Sequence, residues 1–431
     1  MASISRRNFL LASAAASVMA PRTIRAASTR PEHLIVVIAK GGWDTTFCFD
    51  PKWGSDTVEG PEVDQSENPD DLEDLRPWHN GELLFNDLKR QPVTDLFSTW
   101  SDQIAVIRGM WTGSIVHQPC RIRLLTGTTS STRPDFATIF GFVKGVNNPI
   151  GSIDFSGLGY SGHLAASTGS VGHRSQLKAL LDPDAMFKGP SFGNYDLPLF
   201  QPTDNEAEAI RHVIESRAAK FSTARTDNGG FNDRRVDDLY VSLDRRQRLL
   251  AQALDIAEPL PIGEEPSLEL QAGLAVDLLE KGLCRAVTLQ HFFSWDTHKS
   301  NFLQHERYTD MFAIINDMLA DLQSRGLLEK TLVVVCSEMA RTPRRNIGYG
   351  KDHWAHTSQL LIGGGVVPGI YGGTDDRTES LPIDYGTGEV INSGGELFKY
   401  DNFAAGILAH LDIDPEVWFP TITPFTAASD F

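Results

Sequence analysis

The chain lacks a long apolar run anywhere past its N-terminus, so nothing in it reads as a membrane-spanning helix, which needs about 18 consecutive apolar residues. Cysteine is scarce: Cys48, Cys120, Cys284 and Cys336 include no C-x-x-C pair, which excludes a dense disulfide framework. Cys336 lies in "TLVVVCSEM", which reads as a buried strand, and buried free thiols are expected. No P-loop is present and no G-x-G-x-x-G follows an apolar strand, so the usual phosphate cradles are missing. "LIGGGVVPG" reads as a tight turn at a strand exit. "GYSGH" at Gly159 to His163 is not a nucleophile elbow, because it lacks the second glycine at the needed position and no strand leads into it. Positive charge is short as well. The 39 Lys and Arg face 56 Asp and Glu, a formal net charge of −17, which argues against nucleic-acid binding and suits solubility or a cation site.

What is present begins with an export signal. "SRRNFL" at Ser5 to Leu10 precedes an alanine-rich apolar run and then "PRTIRAAS", the charged, apolar and small-residue regions of a signal peptide. Its arginine pair resembles the twin-arginine class, so residues 1–27 are expected to engage the twin-arginine export machinery. The remainder would then be periplasmic or secreted, with no transmembrane anchor. Loss of that segment, with its four arginines and no acids, would carry the net charge from −17 to about −21.

The other 404 or so of the 431 residues suffice for one large α/β domain with insertions. "HLIVVIAKGGWDTT" is a continuous apolar run ending at Gly41 and Gly42, as expected of a strand buried on both faces of a parallel sheet. "QIAVIRGM" reads as a second such strand, and "VHQPCRIRLLTG" after it as a loop entering a helix at His117. The run Asp56 to Asp74 holds nine acids and no Lys or Arg; it reads as a solvated loop, with a calcium loop as the alternative. Residues from about 150 to 270 are irregular and read as an insertion or cap. In the C-terminal half, strand "AVTLQHF", an amphipathic helix and strand "TLVVVCSEM" alternate. In that helix Tyr308, Met311, Phe312, Ile315, Met318, Leu319 and Leu322 recur at three- and four-residue steps, and Gly326 offers a stop. Strand "QLLIGGG" and a helix over Asn402 to Leu411 continue the rhythm, giving an α/β sheet with helices on both faces.

Loops leaving the carboxyl ends of parallel strands build the site in such folds. Asp44, Asp296, His298, Glu338, Asp352, His353 and His356 all fall at or just past expected strand ends. A mixed carboxylate and imidazole set suits zinc or manganese better than calcium, which favours all-oxygen shells. His291, His305 and His410 have no comparable setting and read as structural.

Two segments, "SWDTHKSN" and "SEMARTPRRNIGYGKDHWAHT", together with the export signal, resemble an uncharacterised twin-arginine-exported bacterial family within the alkaline phosphatase and sulfatase superfamily. The resemblance implies an alkaline-phosphatase-like α/β fold, a parallel sheet sandwiched between helices. It also implies one or two divalent metal ions, with Asp44, Asp296, His298, Glu338 and His356 as ligands and Asp352 and His353 as further ones. Pro119, Arg121, Leu125, Thr126 and Gly127 match the sulfatase nucleophile segment, which places His117 where a cysteine or serine usually stands. Glu338 stands where an aspartate is usual and Met339 where a histidine or asparagine is. The implied activity is hydrolysis of phosphate or sulfate esters, with His117 as a nucleophile, a general acid or base, or a further ligand, and Arg121 and Arg341 holding an anionic small-molecule or polysaccharide ester. The alternative is a metal-stabilised binding or assembly protein without turnover.

Overall fold

The computed structural model describes residues 30–61, 74–171, 186–188, 196–198, 203–228, 244–245, 247–249, 251, 260 and 265–431. The expected signal, most of the acidic run, and most of the expected helix at 236–257 lie outside these residues. The strands are β1 (His33–Ala39), β2 (Asp74–Trp78), β3 (Gly81–Phe85), β4 (Ile104–Trp111), β5 (Ser152–Asp154), β6 (Thr168–Ser170), β7 (Met186–Lys188), β8 (Asp196–Pro198), β9 (Ala286–His291), β10 (Thr331–Cys336), β11 (Ala340–Arg341), β12 (His353–Trp354), β13 (His356–Gly363), β14 (Gly369–Gly372), β15 (Pro382–Ile383) and β16 (Glu396–Leu397). The helices used below are α1 (Asp87–Thr99), α2 (His117–Thr126), α3 (Phe136–Lys144), α4 (Asp204–Asn228), α5 (Leu268–Glu280), α6 (Leu303–Ser324) and α7 (Tyr400–His410).

Eight strands form one sheet in the order β14-β4-β13-β10-β1-β9-β5-β6. Every neighbouring pair is parallel except those made by β13, which runs antiparallel to both β10 and β4. The protein is therefore a mixed α/β fold on a mostly parallel sheet. The last two strands at one edge, β5 and β6, come from within the region read as an insertion.

Period-two alternation splits each central strand between two apolar layers. Ile35, Val37 and Ala39 of β1 and Val333 and Val335 of β10 pack with α1, α5 and α6 on one face. Leu34, Val36 and Ile38, with Leu332, Val334 and Cys336, pack with α2, α3 and α7 on the other. All seven apolar residues of the α6 stripe are buried. Central strands covered on both faces must be apolar throughout, which is why β1 and β10 have no exposed residue. All four cysteines are free and buried. Among the described residues no helix is long and apolar enough to cross a membrane.

The reversal of β13 matters for the site. Its amino end lies at the same sheet edge as the carboxyl ends of β1, β4, β9 and β10, since His356 pairs with Trp111 at the end of β4. The segment Asp352 to His356 reaches that edge as the lead-in to an antiparallel strand, and not as a loop leaving a parallel one.

Candidate metal centre

The edge is organised by two glycines. Gly41 (φ +124°) and Gly42 (φ +94°) follow β1 in a conformation L side chains rarely adopt. The amide of Gly41 donates to both carboxylate oxygens of Glu338, at 3.0 and 3.1 Å. A Cβ on Gly41 would lie 2.6 Å from the backbone nitrogen of Asp296, so the exits of β1 and β9 could not approach as they do. Gly41→Ala is therefore expected to cost about 1–3 kcal/mol from backbone strain alone and to loosen the hold on Glu338; a lowered denaturant midpoint at unchanged slope checks it.

Below the edge, Trp43, Phe47, Phe49, Trp295, Tyr308 and Phe312 form an aromatic bed. Trp43 packs edge-on to Trp295 with centroids 6.3 Å apart, and Tyr308 meets Trp295 at 5.0 Å. The tryptophans of the two W-D motifs thus serve as rigid footings for the aspartates that follow them. Trp295 also donates its indole N–H to Nδ1 of His291, whose Nε2–H donates to Asp310 at 2.8 Å.

Asp296 is the hub. Its Oδ1 lies 3.0 Å from Nε2 of His298 and 3.1 Å from Nε2 of His353, and its Oδ2 lies 3.4 Å from Nε2 of His117. Each of these rings has its other nitrogen committed to an oxygen. Nδ1 of His117 donates to Glu338 (3.0 Å), that of His298 to Asp352 (2.8 Å) and that of His353 to the backbone carbonyl of Ile115 (2.7 Å). A neutral imidazole with its proton on Nδ1 offers a lone pair at Nε2. Three such lone pairs therefore converge on one carboxylate, and those of His298 and His353 face each other at 2.9 Å with no proton of their own to share. Only a cation or an added proton relieves that arrangement. Oxygen partners on the far nitrogen of metal-binding histidines are the usual means of fixing tautomer and ring orientation. One ligand atom each from His117, Asp296 and His353 lie within 4.8 Å of one another.

The electrostatics follow from the same contacts. The hydrogen bond to Glu338 raises the His117 pKa above its ordinary value. Burial lowers that of His353, against the opposing pull of Asp296. Burial pushes the Asp296 carboxyl up, but the Arg341 guanidinium and the neighbouring imidazoles more than offset this and hold it below the usual range.

The other expected residues take different places. Arg341 is buried and fully engaged, donating to the carbonyls of Gly41, Gly42 and Lys351 and to Oδ1 of Asp296 at 2.8 Å, so it braces the site and presents nothing to a ligand. Asp44 is fully buried and closed off. Its Oδ2 lies 2.7 Å from Nζ of Lys351 and accepts from Asn301, while Oδ1 accepts from both the amide and hydroxyl of Thr46. His356 turns to Ser380, accepting its backbone N–H at Nδ1, outside the imidazole cluster. Arg121 does face the site. It lines a cavity of about 320 Å³ with Lys40, Gly41, His117, Phe292, Ser294 and Asp296. Sequence reasoning missed Lys40, Ser294, Lys351 and the Ile115 carbonyl. Lys40 had a visible signal, since it sits between the β1 run and the two glycines; a backbone acceptor such as Ile115 leaves none.

The family model "Protein of unknown function (DUF1501)" matches residues 262–422, which carry Asp296, His298, Glu338, Asp352, His353 and His356. No curated protein matches the sequence. Similar solved structures belong to the alkaline phosphatase and sulfatase superfamily. A phosphonate monoester hydrolase from Silicibacter pomeroyi is 12% identical, over 92% of this chain and 78% of that one, with a TM-score of 0.35. A protein in the alkaline phosphatase superfamily from Vibrio parahaemolyticus is 9% identical over 96% and 76%, with a TM-score of 0.36. The alkaline phosphatase of the Antarctic bacterium TAB5 is 13% identical over 80% and 95%, with a TM-score of 0.33; a variant of it is solved with magnesium bound.

Proposed function

We propose that the protein is an exported, metal-dependent hydrolase of phosphate or sulfate esters. The observation that supports this most is the convergence of three oriented Nε2 atoms on Asp296 beside a cavity lined by two cations. Asp296, His117, His353 and His298 would hold the ion, and a nitrogen-rich set of this kind suits zinc, with manganese as the alternative. Bound there, the ion would supply Lewis-acid polarisation of the ester.

The chain's own residues supply the rest. Lys40 and Arg121 would balance the charge of the anionic group, Arg121 with its planar fork suited to two oxygens at once. Phe292 offers an apolar wall to the alcohol portion. His117 begins α2, where the uncapped amides of the first turn favour negative charge. Glu338 fixes which nitrogen of His117 faces the cavity. Accordingly, Glu338→Gln is expected to weaken metal affinity by about 10–100-fold, as a competition titration with a chromophoric chelator would show. Export would follow from the arginine pair, and Arg6→Lys with Arg7→Lys should retain the protein in the cytoplasm on fractionation.

One observation favours a second reading, a metal-stabilised binding or assembly protein: the side chain at the nucleophile position is an imidazole tied to Glu338, and not a hydroxyl or thiol. Metal analysis of the purified protein, followed by phosphatase and sulfatase assays on it and on His117→Ala, separates the two. Bound metal with turnover that His117→Ala abolishes supports the hydrolase. Bound metal with no turnover on any ester leaves the second reading, and absence of metal removes both.

A further inference from the structure

We propose that the centre takes a single divalent cation, because the ammonium of Lys351 already fills, against Asp44, the place of a second. This rests on the metal-dependent reading above and goes beyond it in fixing the stoichiometry and dividing the acids of the site into two classes.

Asp44 and Lys351 meet at 2.7 Å, and neither side chain has any exposed surface. The remaining acceptor sites of Asp44 are taken by the Asn301 amide, at 2.7 Å, and by the Thr46 amide and hydroxyl, at 3.1 and 2.7 Å. An ion entering there would have to displace a buried ammonium and compete with three neutral donors. The backbone offers no slack for such a change. Gln304 accepts the Asp44 amide at 3.0 Å, and the Tyr308 hydroxyl donates to the Asp44 carbonyl at 3.0 Å. Lys351 is anchored in turn by its own amide, bonded to the Thr297 carbonyl, and by its carbonyl, bonded to Arg341.

Charge balance points the same way. Asp44, Asp296, Glu338 and Asp352 bring four negative charges to this edge; Arg341 and Lys351, both with fully buried side chains, and Lys40 and Arg121 on the cavity wall bring four positive ones. With neutral histidines the charges cancel. One divalent ion leaves two positive charges, which suits an anionic ester. A second would leave four, a large penalty without further anions. The imidazole cluster around Asp296 is thus the ion site, and the Asp44–Lys351 pair is an internal counter-ion pair that stiffens the exit of β1.

The test is metal stoichiometry, by elemental analysis and by calorimetric titration of chelator-stripped full-length protein with zinc and, separately, manganese. The wild type should bind one ion per chain. Asp44→Asn combined with Lys351→Met, which neutralises both partners so that neither is left as a lone buried charge, should still bind one, with Kd changed by less than about threefold. His353→Ala should bind none. Two ions in the wild type, or loss of binding in the double variant, overturns the proposal while leaving metal dependence standing. Absence of binding in the wild type overturns both. Should the double variant fail to fold, the wild-type count alone decides.

Discussion

Asp296→Ala should strip the protein of the proposed metal and, with it, of the proposed ester turnover. The carboxylate is the one group in contact with all three Nε2 atoms, and the same Oδ1 receives Arg341. Removing it leaves three Nε2 atoms with no carboxylate between them, since Glu338 and Asp352 meet only the Nδ1 side of their rings, and a buried guanidinium with one charged partner fewer. Loss of an outer partner such as Glu338 is expected to weaken metal binding by about 10–100-fold; loss of this shared ligand should exceed about 100-fold. Asp352 provides the contrast. Of the three imidazoles it touches only His298, sharing its Oδ1 with the Asn346 amide, and its side chain is 58% exposed, against 32% for Asp296. Asp352→Asn should therefore cost less than about tenfold. Competition titration and metal retention after dialysis against a chelator read both variants. Equal losses in the two would remove Asp296 from the centre of the site.

The division between what the residues announced and what they concealed has a physical basis. Strands β1, β4, β9 and β10 were legible because burial on both faces demands uninterrupted apolar runs, and α6 because one buried face imposes its three- and four-residue steps. The direction of β13 was not legible, since an apolar run reads the same whichever way the strand lies. Strands β5 and β6, three residues each, are too short to carry a pattern, so the region holding them looked like an insertion although it supplies the sheet's edge.

The site divides in the same way. Residues with a local signature, the W-D-T-H segment and the D-H-W segment, are brought together around Asp296. Which cation each acid takes was hidden, because pairing is set by packing between segments far apart in the chain. Asp44 went to Lys351 and Arg341 to Asp296 and three carbonyls. A lysine inside "GKDHW" carries no local mark that distinguishes a buried counter-ion from a surface charge.

Stability should fall steeply between pH 6.5 and 4, beginning above the range in which exposed carboxylates titrate. Three buried histidines make no contact with the imidazole cluster around Asp296. Burial lowers the pKa of His33 to about 4 and that of His410 to about 4. Burial, reinforced by Arg90, lowers His305 to about 2. Their contacts agree with this. Nε2–H of His410 donates to the Gly364 carbonyl, leaving Nδ1 to accept from Ser429, and the Arg90 guanidinium donates to Nδ1 of His305, which requires a lone pair there. Unfolded, each would titrate near 6.5. A lowered folded pKa means that the stabilisation is complete above about pH 6.5 and is lost as pH falls toward the folded value. At about 1.4 kcal/mol per unit, each histidine forfeits about 3 kcal/mol by pH 4.

Asp135 acts in the opposite sense. Burial raises its pKa to about 6, despite the amides of Thr138 and Tyr160, so its ionisation penalty is relieved as pH drops below 6, returning about 3 kcal/mol. From these four groups the net loss by pH 4 is then about 6 kcal/mol, comparable with the whole stability of many domains. Near pH 5 these four groups bind about two more protons in the unfolded chain than in the folded one, a contribution that lowers the unfolding free energy by about 2.7 kcal/mol per unit fall in pH. His410→Gln removes one of those protons, and its slope should be shallower by about 1.4 kcal/mol per unit, whatever its stability at pH 7. Denaturant titrations at pH 7, 6 and 5 on the two proteins measure both slopes; parallel lines would mean that His410 keeps an ordinary pKa in the fold.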